Sequence, residues 1–354
     1  MAHQRFRPDT IRRALSDALA REGVPPHVRA VEAGLMTEAE LHGVPSHGML
    51  MLPRLIAGFR SGRAKPDPHI RLVRDTAAVC VLDGDRGPGR YVGVQGMHAA
   101  MERASRFGIG AALVTETTHW GRAHAYACLA ADAGFIGLCT TNAIPNMLAP
   151  GSSAPALGNN PLAIAAPRGA GRHPVVLDIA MSQAALGRVA TAQREGETVP
   201  LGWGLDENGH PTSDPAAILA SQNLLPMGGH KGAGLALMME LLTAALGGGP
   251  LSHEIVQADA SGLDAGASKL FVAIDVGAFG DPAQFGARVD SLAAYLRERA
   301  TGPDALLPGE RGWRTRDEYE RDGIPVHPAV VAALGAVGVE LTEPYGGASP
   351  SPLR

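Results

Sequence analysis

The sequence has no run of about 20 apolar residues, the length that a membrane-spanning helix needs, so it predicts no membrane span. The stretch from Met1 to Arg13 is polar and basic, without the apolar centre of a secretory signal. Cysteine is scarce. Cys80, Cys128 and Cys139 are odd in number and lack metal-ligand spacing, which fits buried free thiols in a reducing compartment and predicts no metal site. No lysine- or arginine-rich face is visible and the formal net charge is −4, which argues against nucleic acid as the main partner. Internal repeats, low-complexity segments and Walker spacing are also missing. The expectation left by these absences is a cytoplasmic protein that acts on a small molecule.

Glycine and proline are plentiful, at 45 and 27 residues. Because apolar segments recur throughout, this predicts many turns and close backbone contacts rather than disorder. At 354 residues the chain exceeds the size at which one hydrophobic core keeps growing, so two subdomains are expected. Ile11, Leu15 and Leu19, then Val31, Leu35 and Met36, recur at helical spacing within residues 8–62. Asp9 or Thr10 is expected to cap the first helix. A third is expected to start at Ser46 as N-cap and to be kinked by Pro53. From about 69 the pattern changes. Strands are predicted over 70–73, 77–82, 110–114, 137–141, 163–166, 175–177 and 270–276. Helices are predicted over 93–107, 123–133, 182–194 and 231–246, and again from about 282, with a break over Pro303–Gly309. Residues 195–226 and 301–312 read as long loops, which are often functional.

The glycine-rich turn Gly84–Gly93 lies between a strand and a helix, where a dinucleotide fingerprint belongs. Its spacing is wrong, no matching acid follows, and Pro88 removes a backbone donor, so a plain turn and helix start are expected. Gly228-Gly229-His230-Lys231-Gly232 precedes an apolar helix, whose positive end and lysine would suit an anion.

Four clusters carry reactive side chains, three of them with glycine: Ser46-His47-Gly48, Thr118-His119-Trp120-Gly121, Leu177–Ser182 and Gly228–Gly232. Together they offer a proton carrier, cations and close-approach backbone, as hydride transfer with a nicotinamide requires. Hydride transfer at a carbonyl carbon leaves charge on oxygen, and histidine, with an ordinary pKa of about 6.5, suits the proton exchange. His47 follows a serine and precedes a glycine that would admit a ligand; otherwise it is a surface histidine by a turn. Asp178 either holds a ribose hydroxyl pair or caps the next helix. His119 and His124 do not share a helical face and have no third ligand nearby, which argues against zinc.

These clusters, with Leu41–Gly48, Thr141-Asn142, Gly158–Ala163, Pro200–Trp203 and Pro308-Gly309-Glu310, occur in an order that resembles the malate/L-lactate dehydrogenase family, distinct from the Rossmann dehydrogenases, over nearly the whole chain. The resemblance implies an α+β fold: a non-Rossmann NAD(P)-binding domain with a mixed sheet over 69–281, packed against a helical domain from both chain ends, 1–68 plus 282–354. It implies NAD or NADP as cofactor, a homodimer, and a 2-hydroxy/2-oxo acid substrate, with cyclic imino-acid reduction as the alternative. It also implies that His47 is the acid/base, that Ser46 orients it, and that His119 lies in the catalytic cleft near the nicotinamide. For cofactor contacts it points to His119, Trp120, Gly121, Asn142, Asn160, Asp178, Ile179, Ala180, Met181, Ser182, Lys231, Gly232, Pro308, Gly309 and Glu310.

The chain departs from the family in places. Where many members carry an arginine that grips the substrate carboxylate, it has Met51; Arg54, on roughly the same helical face, is the expected substitute or else a surface residue. Imino-acid reductases of the family tend to have an acid just after the glycine at Gly187. Here Arg188 stands there, which favours a hydroxy acid and offers a partner for a 2′-phosphate.

Overall fold

The computed structural model describes residues 3–255, 266–302, 306–342 and 344–345. Strand β1 (Gln4–Phe6) leads into helices α1 (Pro8–Arg21), α2 (Pro26–Leu41) and α3 (Leu52–Arg60). Next come β2 (Arg71–Asp75), β3 (Val79–Gly87), α4 (Gly89–Phe107), β4 (Ile109–Thr117), α5 (His124–Asp132) and β5 (Phe135–Thr141). The short strands β6 (Met147–Leu148) and β7 (Pro155–Leu157) precede β8 (Leu162–Ala166), β9 (Val175–Ile179) and α6 (Leu186–Glu195). They are followed by β10 (Gly204–Leu205), α7 (Pro215–Ser221), β11 (Asn223–Leu224), α8 (His230–Glu240) and β12 (Lys269–Asp275). The remaining elements are α9 (Pro282–Glu298), α10 (Glu310–Asp322), β13 (Ile324–Val326) and α11 (Pro328–Gly335).

The fold is α+β. Its main sheet has seven strands in the order β2-β3-β4-β12-β5-β8-β9. Within this sheet, among the described residues, only β3 and β4 are parallel neighbours, and a parallel pair needs a long crossover, which α4 supplies. β12 runs antiparallel between β4 and β5, so the carboxyl ends of β4 and β5 and the start of β12 share one sheet edge. Lys269 is paired there with Val114 on one side and Thr141 on the other. The end of β9 reaches the same edge beside the start of β8.

One hydrophobic cluster lies between this sheet and α4 and α5, and includes Phe271, Tyr126, Trp120 and Trp313. A second is built from both chain ends, with Ile11, Leu15, Leu19 and Met36 against Val330 and Leu334. β1, which the sequence pattern did not suggest, pairs antiparallel with β13 and ties these ends together. A third cluster joins Met181, Val189, Ile218 and Ala236.

Several local expectations are corrected. Arg7, not Asp9 or Thr10, is the N-cap of α1; Pro8 takes the first turn, where its missing N–H costs nothing. Ser46 caps no helix. Pro45–His47 and Met49–Met51 form two 3₁₀ turns, and the α-helix starts only at Leu52, with Pro53 in its first turn rather than as a kink. The segment 195–226 is not one loop but holds β10, α7 and β11. α8 ends at Glu240 and continues as a π turn over Leu241–Ala245. Of the loop expected over 301–312, residues 303–305, including Pro303, lie outside the described residues.

Candidate functional site

A cleft of about 740 Å³ opens at the sheet edge. Loops following β4, β5 and β9 line it, as do the segment from Val44 to Arg54, the start of α6, and Arg311 of α10. It gathers Ser46, His47, Met51, Arg54, His119, Trp120, Gly121, Asn142, Asp178 and Ala180 from the residues expected from sequence.

His47 ends the first 3₁₀ turn, and Ser46 Oγ lies 2.9 Å from its Nδ1. Two buried carboxylates hold this segment. Glu40 Oε1 accepts from the Met49 N–H at 2.8 Å, and the Glu40 carboxyl is pushed up to about 7 by burial, which that hydrogen bond and the charge of Arg194 oppose. Glu32 pairs with Arg90 at 3.2 Å, and the same guanidinium donates to the His47 carbonyl at 2.9 Å. Burial lowers the His47 imidazole to about 4; Asp178 opposes this, while Arg122, Arg90 and Arg54 reinforce it. The ring is therefore neutral at pH 7.

Gly48 does not admit a ligand, as its place beside His47 suggested. It is buried, and a Cβ there would strike the Glu40 side chain. Gly121, at φ 76°, likewise lies under Arg90, whose Nε would be 2.8 Å from an added Cβ. The glycines let buried side chains cross the backbone, and those side chains fix the loops.

His119 follows β4. Its Nδ1 accepts from the Gly121 N–H at 3.1 Å, so its neutral ring carries the proton on Nε2. Burial holds it well below its ordinary pKa, with His47, Arg90, Lys269 and Arg54 adding to this. Its ring centroid is 5.7 Å from that of His47. Trp120 stacks on Tyr126 at 5.0 Å and belongs to the core under the sheet.

The turn before α4 has no room for a phosphate. The Gly89 N–H donates to Thr118 Oγ1 at 2.9 Å, and an added Cβ at Gly89 would collide with the Thr118 and His119 carbonyls. Asp178 does not cap α6, whose N-cap is Ala185. It accepts instead from the His124 N–H at 3.4 Å, at the start of α5, and faces Arg122 Nε at 3.5 Å.

Most of the other expected residues are held by contacts of their own. Asn160 is buried and its amide is spent on Glu240 Oε2, Ala236 O and Ala143 N, each at 2.9 Å. Asn142 lines the cleft, but its amide bonds Pro250 O at 3.0 Å and the Ser268 N–H at 2.8 Å. Ile179 is half-buried, Met181 is packed in the third cluster, and Ser182 Oγ donates to the Ala184 carbonyl at 2.7 Å. Gly232 lies against the Met181 and Met227 carbonyls, and Lys231 is exposed. Arg188 is exposed, with its guanidinium 4.8 Å from the centroid of Trp203. Pro308 and Glu310 line a separate hollow of about 250 Å³; Pro308 O accepts from Val176 N at 3.1 Å, and Gly309 packs on Val176.

Sequence reasoning missed Arg90, Arg122, Arg194 and Lys269. Lys269 lines the cleft and is 1% exposed, with Nζ donating to the Ala267 carbonyl at 3.0 Å. Its signal was a lysine directly before an apolar strand.

The chain matches the model of the malate/L-lactate dehydrogenase family over residues 6–335. It is 32% identical to a malate dehydrogenase of Pyrococcus abyssi over 329 residues, 90% of each chain. It is 33% identical to a Δ1-pyrroline-2-carboxylate reductase of Ancylobacter novellus, over 88% of this chain and 91% of that one. The solved sulfolactate dehydrogenase of Methanocaldococcus jannaschii superposes with a TM-score of 0.85 at 31% identity, covering 96% of this chain and 98% of that one. By sequence and by fold the chain belongs to the malate/L-lactate dehydrogenase family.

Proposed function

We propose that the cleft holds NAD(H) or NADP(H) beside a small 2-hydroxy or 2-oxo acid, and that His47 exchanges the proton at the substrate oxygen. The observation that carries this reading is the meeting of His47 and His119, from distant segments, in one cleft with Arg54, Arg194 and Lys269. Ala180, Ala185 and Ala190 are small lining residues that leave room for a flat ring, and Arg122 and Arg311 suit a pyrophosphate. A bound nicotinamide would supply the hydride donor or acceptor.

With Nδ1–H donating to Ser46 Oγ, His47 presents a lone pair on Nε2, able to accept the proton of a substrate hydroxyl. In reduction the protonated ring returns it. His119 lines the cleft beside His47, with ring centroids 5.7 Å apart. The substrate carboxylate falls to Arg54, Arg194 or Lys269, because Met51 is apolar and 6% exposed.

A second reading, reduction of a cyclic imino acid, is favoured by the Ancylobacter relative. Oxidation of NADH and NADPH by purified protein with pyruvate, oxaloacetate and a cyclic imine carboxylate separates the two. We expect the oxo acids to be faster; turnover of the imine alone reverses the order, and turnover of none removes both.

The division into 1–68 with 282–354 against 69–281 is likewise proposed. It is supported by the cluster built from both chain ends, while Trp313 of α10 joins the cluster beneath the sheet. A cytoplasmic location is supported by three buried, free cysteines. For a homodimer, α8 and the following turn expose Leu235, Leu237, Met238, Leu241, Leu242 and Leu246, an apolar face of the kind that marks an interface. Light scattering should read twice the 36.6 kDa chain mass, and half that value refutes the dimer.

A further inference from the structure

Behind the cleft, α2 and α5 bring together Glu38, His42 and His124, whose donor atoms all lie within 4.8 Å of one another. Glu38 and His42 are four residues apart, so they face the same way at the end of α2. His124 is the first residue of α5. Glu38 Oε1 is 3.3 Å from His42 Nε2 and 3.2 Å from His124 Nδ1. Zinc bonds nitrogen and oxygen at about 2.0–2.2 Å in tetrahedral sites, which places neighbouring donor atoms about 3.3–3.5 Å apart. The two observed separations are close to that edge length.

The cluster leaves polar atoms unsatisfied. Both ring nitrogens of His42 and Glu38 Oε2 are buried without a hydrogen-bond partner, and the His42 side chain has 0% exposure. Such groups are costly in a protein interior and call for an explanation such as a bound ion. The Trp313 ring walls the site, 4.6 Å from the His42 ring centroid and 5.2 Å from that of His124. At Gly312 an added Cβ would come within 2.9 Å of His42 Nδ1, so the missing side chain makes space for the ring. Cys128 Sγ lies 3.8 and 3.7 Å from the two nitrogens of His124, nearly equidistant, so it is not aligned with either lone pair.

We propose that Glu38, His42 and His124 bind one divalent transition-metal ion, zinc best suiting two imidazoles and a carboxylate, as a structural clamp between α2 and α5. The site is distinct from the proposed hydride chemistry and does not depend on it. It adjoins the cleft through Asp178, which lines the cleft and accepts from the His124 N–H. The ion would hold together the two helices that flank the His47 and His119 loops.

The test strips the purified full-length protein with a chelator and titrates it with Co²⁺, followed by visible absorption and equilibrium dialysis. One Co²⁺ per chain is expected, with the intense visible bands of a four-coordinate ion, displacement by Zn²⁺ and a higher thermal midpoint with metal. His42→Ala and Glu38→Gln should each weaken Co²⁺ binding by about 100-fold or more, since even outer partners of metal ligands are worth about 10–100-fold. Circular dichroism checks that each variant is folded, and Glu38→Gln, which keeps the side chain's shape, serves if His42→Ala is not. Failure of the folded wild type to bind a stoichiometric ion, or undiminished binding by a folded variant, overturns the proposal.

Discussion

His47 is tuned by what surrounds it. Its imidazole sits at about 4 because burial and three guanidinium groups outweigh Asp178. Oxidation of a hydroxyl needs the neutral ring, and the pH dependence of kcat/KM reports the enzyme before substrate binds. We therefore predict that kcat/KM for hydroxy-acid oxidation stays level as pH falls through 6.5 and drops only as it nears 4, with circular dichroism showing intact fold. An acid limb centred at 6.5 or above would show that another group, or an unburied ring, carries the proton. At this scale the meeting of Ser46, His47 and His119 was legible, because they stand in compact motifs that converge in one cleft. Lys269 and Arg90 were harder to read, because a lone charged residue directly before an apolar run or inside a helix start is a weak mark. The glycines were read as openings for a ligand. In the structure, Gly48 and Gly121 make room for Glu40 and Arg90, a purpose that depends on partners distant in sequence.

Among the elements, the strands and helices of the sheet region were legible from apolar runs and spacing, with ends that shift by a few residues. The short pieces were not. A 3₁₀ turn has too few residues to show a period, so the segment carrying His47 read as a helix from Ser46. Its position depends on α6, where an added Cβ at Gly187 would lie 2.6 Å from Ser46 Cβ and 2.9 Å from its Oγ. Gly187→Ala must therefore push the Ser46–His47 turn away from α6. Displacement of a catalytic group by around 1 Å can cost up to about 100-fold, so we expect kcat to fall about 10- to 100-fold with little change in cofactor affinity by fluorescence titration. Wild-type kcat in this variant would show that the contact does not position His47.

Across the whole molecule, the site exists because strand polarity brings the ends of β4, β5 and β9 and the start of β12 to one edge, and chain-end segments close over it. The order of motifs along the sequence indicated the family, but the cleft's cations come from elements far apart, which no local pattern joins. Arg188 and Lys231, whose motifs placed them near a cofactor, are exposed in the fold. The whole account rests on one imidazole at the edge of the sheet. Its most direct test is turnover by His47→Ala at saturating cofactor and substrate. The account predicts unchanged cofactor affinity and a kcat lower by about 10²–10⁴; turnover equal to wild type would contradict it.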